Sequence, residues 1–196
     1  MRKVWVYVVG ALVTLALLGG AFYFGYWSRT PIYSLSLAKE AIEAHEVEEF
    51  ERLVDIHTLL SYAYDDMAES ALNRSVGRLP ILGSLGKDVL KKVTDGAKDI
   101  VIDVAQGRVI EYVRTGSVPE GEDKGFNINF ALLDSLVLGA SVVEYTNIEE
   151  NTAIVGVRLY PKGIKDGFVF QLEMQRFKHK WRLIRIRNLK EFCDSL

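Results

Sequence analysis

Three histidines, His45, His57 and His179, are the side chains best suited to move protons or bind metal near neutral pH. Their spacing fits neither H-E-x-x-H nor a Cys/His array. His45-Glu46 and Asp55-x-His57 are isolated pairs, and a metal ion needs more ligands than a pair supplies, so no metal and no cofactor is expected. Gly83-Ser84-Leu85-Gly86 is not the G-x-S-x-G of a nucleophile elbow. Gly86-Lys87 is followed by Asp88 rather than Ser or Thr, and position 81 is Ile81, so no phosphate loop is present either. Asp65 and Asp66 are adjacent, and on a helix they diverge by about 100°, too far to share acid and base work. Asn73-Arg74-Ser75 matches a glycosylation sequon. Cys193 is the sole cysteine, close to a carboxyl end expected to be loose. No catalytic set emerges from these residues.

Charge is distributed unevenly. Residues 39–69 carry ten acids, from Glu40 to Glu69, against Lys39 and Arg52. Residues 173–190 carry Arg176, Lys178, Lys180, Arg182, Arg185, Arg187 and Lys190 against Glu173. Such clusters read first as solvated faces of amphipathic elements. Their functional reading is a basic sheet edge that meets anionic lipid headgroups or wall polymer.

The elements that must position these residues are helices first, strands last. After Pro31, Ser34 or Ser36 is placed to cap a helix through Leu35, Ala38, Ala41, Ile42 and His45. A break near His45-Glu46 precedes a second helix carrying Val47, Phe50, Leu53 and Val54. Asp55 is placed to cap a third, through Ile56, Leu60, Tyr64 and Met67 to about Asn73. Three glycines and a proline in Val76–Lys87 predict a loop, apolar enough to tuck against the core. Asp88–Arg114 is the longest helical pattern, weakened by Gly96 and Gly107 at about 1 kcal/mol each. Gly116–Gly125 reads as a solvent loop, and Phe126–Gly139 fits a helix or a strand, with helix preferred. Past residue 140 the period becomes two. Ser141–Ile148 is a strand. Ala153, Val155, Val157 and Leu159 then alternate with polar or small neighbours, as do Phe168, Phe170, Leu172 and Met174, and finally Ile184 and Ile186. The class is α+β, with an antiparallel meander at the carboxyl end.

Composition sets the remaining bounds. The chain has 196 residues and a formal net charge of −2, yet residues 1–30 hold three bases and no acid. The other 166 residues hold 21 bases and 26 acids, the size of one domain rather than of a multidomain enzyme. At 49% hydrophobic the chain is not disordered, and one cysteine cannot build a disulfide scaffold. Val4–Trp27 is uncharged throughout and 24 residues long. As a helix it reaches about 36 Å, enough to cross a hydrocarbon core of about 30 Å. Trp5 and Tyr7 stand at one end and Tyr23, Tyr26 and Trp27 at the other, where aromatic belts form. A cleaved signal peptide is the rival reading, but Gly19-Gly20-Ala21, its sole cleavage candidate, runs straight into FYFGYW. Residues 1–30 are therefore read as a transmembrane anchor and 31–196 as a single extracytoplasmic domain. Arg2 and Lys3 against Arg29 favour a cytoplasmic amino terminus. Nucleic acid is not an expected partner, because the body is acidic.

Two stretches carry a resemblance: YSLSLAKEAIEAHEVEEFERLVDI (Tyr33–Ile56), and NTAIVGVRLYP with FVFQLEMQRFKHKWRLIRIRNL (Asn151–Leu189). They resemble a bacterial family of membrane-anchored domains of unknown function, and more broadly the cystatin-like cone fold shared with nuclear transport factor 2 relatives. Glu46 departs from the aspartate such domains usually place there, and Glu caps a helix poorly. The resemblance implies a strongly bent antiparallel sheet under a helical layer, with a pocket between them. It supplies no reaction. On that fold the polar row Arg158, Gln171, Glu173 and Arg185 is the candidate ligand-binding set. The function expected is a non-catalytic binding or scaffold module of the cell envelope, taking an envelope protein or a small molecule. The alternatives are a small cone-fold hydrolase or isomerase using Asp55 and His57 with Tyr62 or Tyr64, or a structural partner of a membrane complex held by the anchor helix.

Overall fold

The computed structural model describes residues 2–78, 83–117, 142–160, 166–178 and 180–195, with side chains described outside 2–6, 72–78 and 83–95. Helix α1 spans Arg2–Trp27 and α2 spans Pro31–Glu43. Thr30 joins them. Its Oγ1 donates to the Trp27 carbonyl at 2.8 Å, closing α1, and accepts the Tyr33 N–H at 3.2 Å, opening α2. Pro31 follows at the first helical position, where no N–H is needed. The cap is therefore Thr30, not Ser34 or Ser36. Ser34 is buried, and its Oγ accepts the Trp181 N–H at 3.1 Å.

Helix α2 ends on a non-glycine left-handed residue. His45 has φ 59°, its N–H reaches the Ile42 carbonyl at 3.1 Å, and the Glu46 N–H reaches Ala41 at 2.8 Å. These are the two hydrogen bonds of a Schellman stop. The strain is offset because His45 Nδ1 lies 2.9 Å from the carbonyl of Val113, near the carboxyl end of another helix. Glu46 provides no side-chain cap for α3 (Val47–Leu53), and the break forms without one.

Helix α4 (Ile56–Arg78) starts where Asp55 Oδ1 accepts the Thr58 N–H at 3.1 Å, as its sequence position predicts. Helix α5 spans Gly83–Thr115. The loop expected over Val76–Lys87 is thus largely helical: Gly77 lies in α4, and Gly83 and Gly86 lie in α5, leaving 79–82 between them. Gly96 and Gly107 interrupt nothing. The glycine penalty is small beside the burial of Ile102, Ala105, Val109, Tyr112 and Val113 on one face of α5. The expectations for 118–125 and for Phe126–Gly139 lie outside the described residues.

The strands are β1 (Val142–Glu149), β2 (Thr152–Leu159), β3 (Phe168–Phe177) and β4 (Lys180–Ile186), in an antiparallel sheet of order β1-β2-β3-β4. Ala153, Val155, Val157 and Leu159 on β2 and Phe170, Leu172 and Met174 on β3 are buried, as their alternation predicts. On β4 the buried pair is Trp181 and Leu183, not Ile184 and Ile186. The register explains this: Met174 faces Leu183, but Glu173 faces Arg185, so β4 carries one extra residue. Parity switches there, and Ile186 rejoins the core. The chain ends in α6 (Leu189–Ser195). Phe192 packs its ring 4.9 Å from Phe170 and 5.2 Å from Phe168, so the expected loose end is a docked helix and Cys193 is half-buried within it. Helices and sheet share one hydrophobic core, an α+β arrangement.

Candidate functional site

The polar row from the sequence does not converge. Arg158 Nε donates to Glu144 across the β1–β2 pair, and Nη1 donates to the Asp166 carbonyl at 2.8 Å. The Glu144 hydrogen bond raises the Arg158 pKa further. Glu173 lies 3.6 Å from Arg187. The backbone of Gln171 is engaged on both sides, its N–H bonding Asn188 Oδ1 at 2.9 Å and its carbonyl accepting the Arg187 N–H at 2.9 Å. Arg185 pairs by register with Glu173 but turns to α4, 3.5 Å from Asp66 and 4.5 Å above the Tyr62 ring. Burial pushes the Asp66 carboxyl above the usual aspartate range, and Arg185 offsets part of that rise. The row is spread over three intramolecular networks.

The set Asp55, His57, Tyr62 and Tyr64 is also dispersed. Asp55 caps α4 and lies 3.7 Å from Arg182. His57 is exposed, Tyr62 sits under Arg185, and Tyr64 is buried. Among the described residues no group of three His, Cys, Asp or Glu is placed to hold a metal ion. His179 lies outside the described residues.

Between helices and sheet, where a ligand pocket is expected, lies a cavity of about 70 Å³ lined wholly by apolar residues, among them Leu35, Phe50, Leu60, Val109, Leu172 and Leu183. Ligand pockets run to hundreds of Å³ and carry placed polar groups. A gap this small and dry is a packing defect of the core.

The larger concavity is elsewhere. An open groove of about 590 Å³ lies against the β3–β4 hairpin, lined by Glu51 and Arg52 of α3 and by Phe177, Lys178, Lys180 and Arg182. Phe177 is 58% exposed. Lys178 Nζ lies 5.7 Å and the Arg182 guanidinium 5.9 Å from its centroid. Lys180 donates to Glu49, which also accepts from Arg52 at 3.1 Å, and the Lys180 hydrogen bond holds the Glu49 carboxyl below the usual glutamate range. Arg182 donates to the Glu51 carbonyl at 3.2 Å. Next to the groove, Arg176 lies 5.1 Å from the centre of the Trp181 ring, and the Trp181 indole N–H donates to the Arg29 carbonyl at 2.8 Å. The hairpin is thus tied to the chain two residues past the end of α1. The basic run was visible in the sequence. Its attachment to Arg29 was not, because that contact joins residues 152 positions apart.

No protein-family model, no curated protein and no solved structure matches this chain.

Proposed function

We propose that this chain is a single-pass membrane protein whose α+β body is a non-catalytic binding or scaffold module outside the cytoplasm. The observation that carries the reading is α1. Tyr7–Trp27 is long and apolar enough to cross a membrane, and none of that stretch is buried against the body. A soluble chain would leave Leu12, Leu15, Leu17, Phe22 and Phe24 in water, at roughly 1.5–3 kcal/mol for each large apolar side chain. Arg2 and Lys3 ahead of the helix favour the cytoplasmic amino terminus. A cystatin-like cone remains the fold reading of the body, supported by the antiparallel meander beneath helices. The dispersal of Asp55, His57, Tyr62 and Tyr64 weighs against the enzyme alternative.

The test is alkaline carbonate extraction of membranes from expressing cells, followed by intact mass measurement. The full-length mass in the carbonate-resistant pellet is the expected result. A chain beginning after Trp27, or full-length chain in the supernatant, overturns the anchor. A carboxyl-terminal reporter active only in the cytoplasm, if active, overturns the orientation.

A further inference from the structure

Arg108 on α5, half-buried with a partner of its own, apart, the cations of the described surface divide into two groups. Lys39, Arg52, Lys98, Arg114, Arg158, Lys180, Arg182, Arg185, Arg187 and Lys190 each lie within 4 Å of a carboxylate. Arg29, Arg176 and Lys178 are exposed, and no carboxylate within that distance is found for them among the described residues. These three belong to one locality. Trp181 bonds the Arg29 carbonyl and carries Arg176 over its ring, and Lys178 stands over exposed Phe177 in the same hairpin. Of the nearby acids, Glu49 is engaged by Lys180 and Arg52 and Asp55 by Arg182, while Glu51 in the groove and Glu150, beside the Asn151 carbonyl that the Arg176 N–H bonds, have no cation within that distance among the described residues.

We infer that the β3–β4 hairpin, with Arg29, Arg176, Lys178 and Phe177, is a contact surface for anionic phospholipid headgroups of the bilayer that α1 enters. The inference rests on the membrane-anchor reading of α1. Three arguments select lipid as the occupant. The first is reach. Arg29 follows Trp27 by two residues, and Lys178 is three residues from Trp181, about 10 Å at strand spacing. The headgroup layer is about 6 Å deep on each side of the hydrocarbon, so Trp181, bonded to residue 29, stands at its border, with the hairpin tip within about 10 Å of it. The second is charge: unneutralised bases beside a membrane exit suit phosphate esters, and each contributes about 1 kcal/mol near an anionic surface. The third is Phe177, a ring that a purely aqueous salt-binding face has no use for and an interface accepts. The contact fixes the body against the membrane at a second point besides the anchor.

The experiment uses the full-length chain in nanodiscs of phosphatidylcholine, with or without phosphatidylglycerol as about a third of the lipid. Acylation of Lys178 is followed by peptide mass spectrometry, with Lys39 on α2 as the internal control. The expected result is Lys178 labelling several-fold slower in the anionic discs and restored by high salt, with Lys39 unchanged. The Arg29→Gln/Arg176→Gln variant is expected to lose most of the difference. Equal Lys178 labelling in both discs, in chain that co-elutes with lipid, overturns the headgroup contact and leaves the anchor standing. Chain that does not co-elute with lipid overturns both. Slowing by soluble polyphosphate but not by anionic discs overturns lipid as the occupant.

Discussion

Asn188 does the work of a strand residue with its side chain. Its Nδ2 donates to the Val169 carbonyl at 2.8 Å, and its Oδ1 accepts the Gln171 N–H at 2.9 Å. The amide continues the β3 ladder just past the end of β4. It is buried, so water cannot replace either bond. Asn188→Ala is expected to lower stability by about 2–6 kcal/mol, because it strands one donor and one acceptor of β3 at roughly 1–3 kcal/mol each. Urea denaturation of the detergent-solubilised chain measures it, and a loss below about 0.5 kcal/mol would mean that β3 re-pairs locally. The cap at Asp55 was legible, because Asp before an apolar helical run has one dominant use. Asn188 was not, because an Asn before a short helix looks like an ordinary cap, and its partners on β3 lie 17 and 19 residues back. His45 was read as a helix residue and then a weak ligand. Its left-handed backbone and its bond to Val113 are settled by α5, 68 positions away.

At the scale of elements, β2, β3 and β4 were all readable as strands, but which face of β4 is buried was not. Strict alternation encodes a face only while the register holds, and the extra residue opposite the step from Glu173 to Met174 shifts Leu183 and Ile186 onto one side. The break between α4 and α5 erred in the opposite sense. Glycines and a proline predicted a long break around residue 80, but local penalties of about 1 kcal/mol are small against packing of α4 on α5. Gly156 is a glycine that the sheet does require. A Cβ there would stand 2.2 Å from Tyr145 Cε1, since the Tyr145 ring lies across the bare backbone of β2 from β1. Gly156→Ala is expected to cost about 1–2 kcal/mol, limited because the ring is partly exposed and able to swing. Tyr145→Ser in the same chain removes the clash. The double-mutant cycle is then expected to show coupling of about 1 kcal/mol, and strict additivity would place the cost in the β2 backbone instead.

For the whole molecule the question is how the body is held relative to α1. Composition located the boundary near residue 30, since Val4–Trp27 carries no charge and the chain after residue 30 is dense in it. What composition could not express is that the boundary is clasped. Thr30 bridges the two helix ends, and Trp181, buried to 1% exposure, donates its indole N–H to Arg29 and its backbone N–H to Ser34. A tether of two or three residues would otherwise leave the body free to swing. Trp181→Phe keeps most of the buried ring, so the core should hold, but it removes the sole side-chain donor to the Arg29 carbonyl among the described residues. The expected consequence is local: in detergent micelles trypsin cuts after Arg29 several-fold faster in the variant, releasing a body that resists further cleavage. Opening of the clasp, not global unfolding, then sets the rate. An unchanged rate would locate the restraint in Thr30 and Pro31. General digestion of the body would mean that Trp181 serves the core first and the junction second.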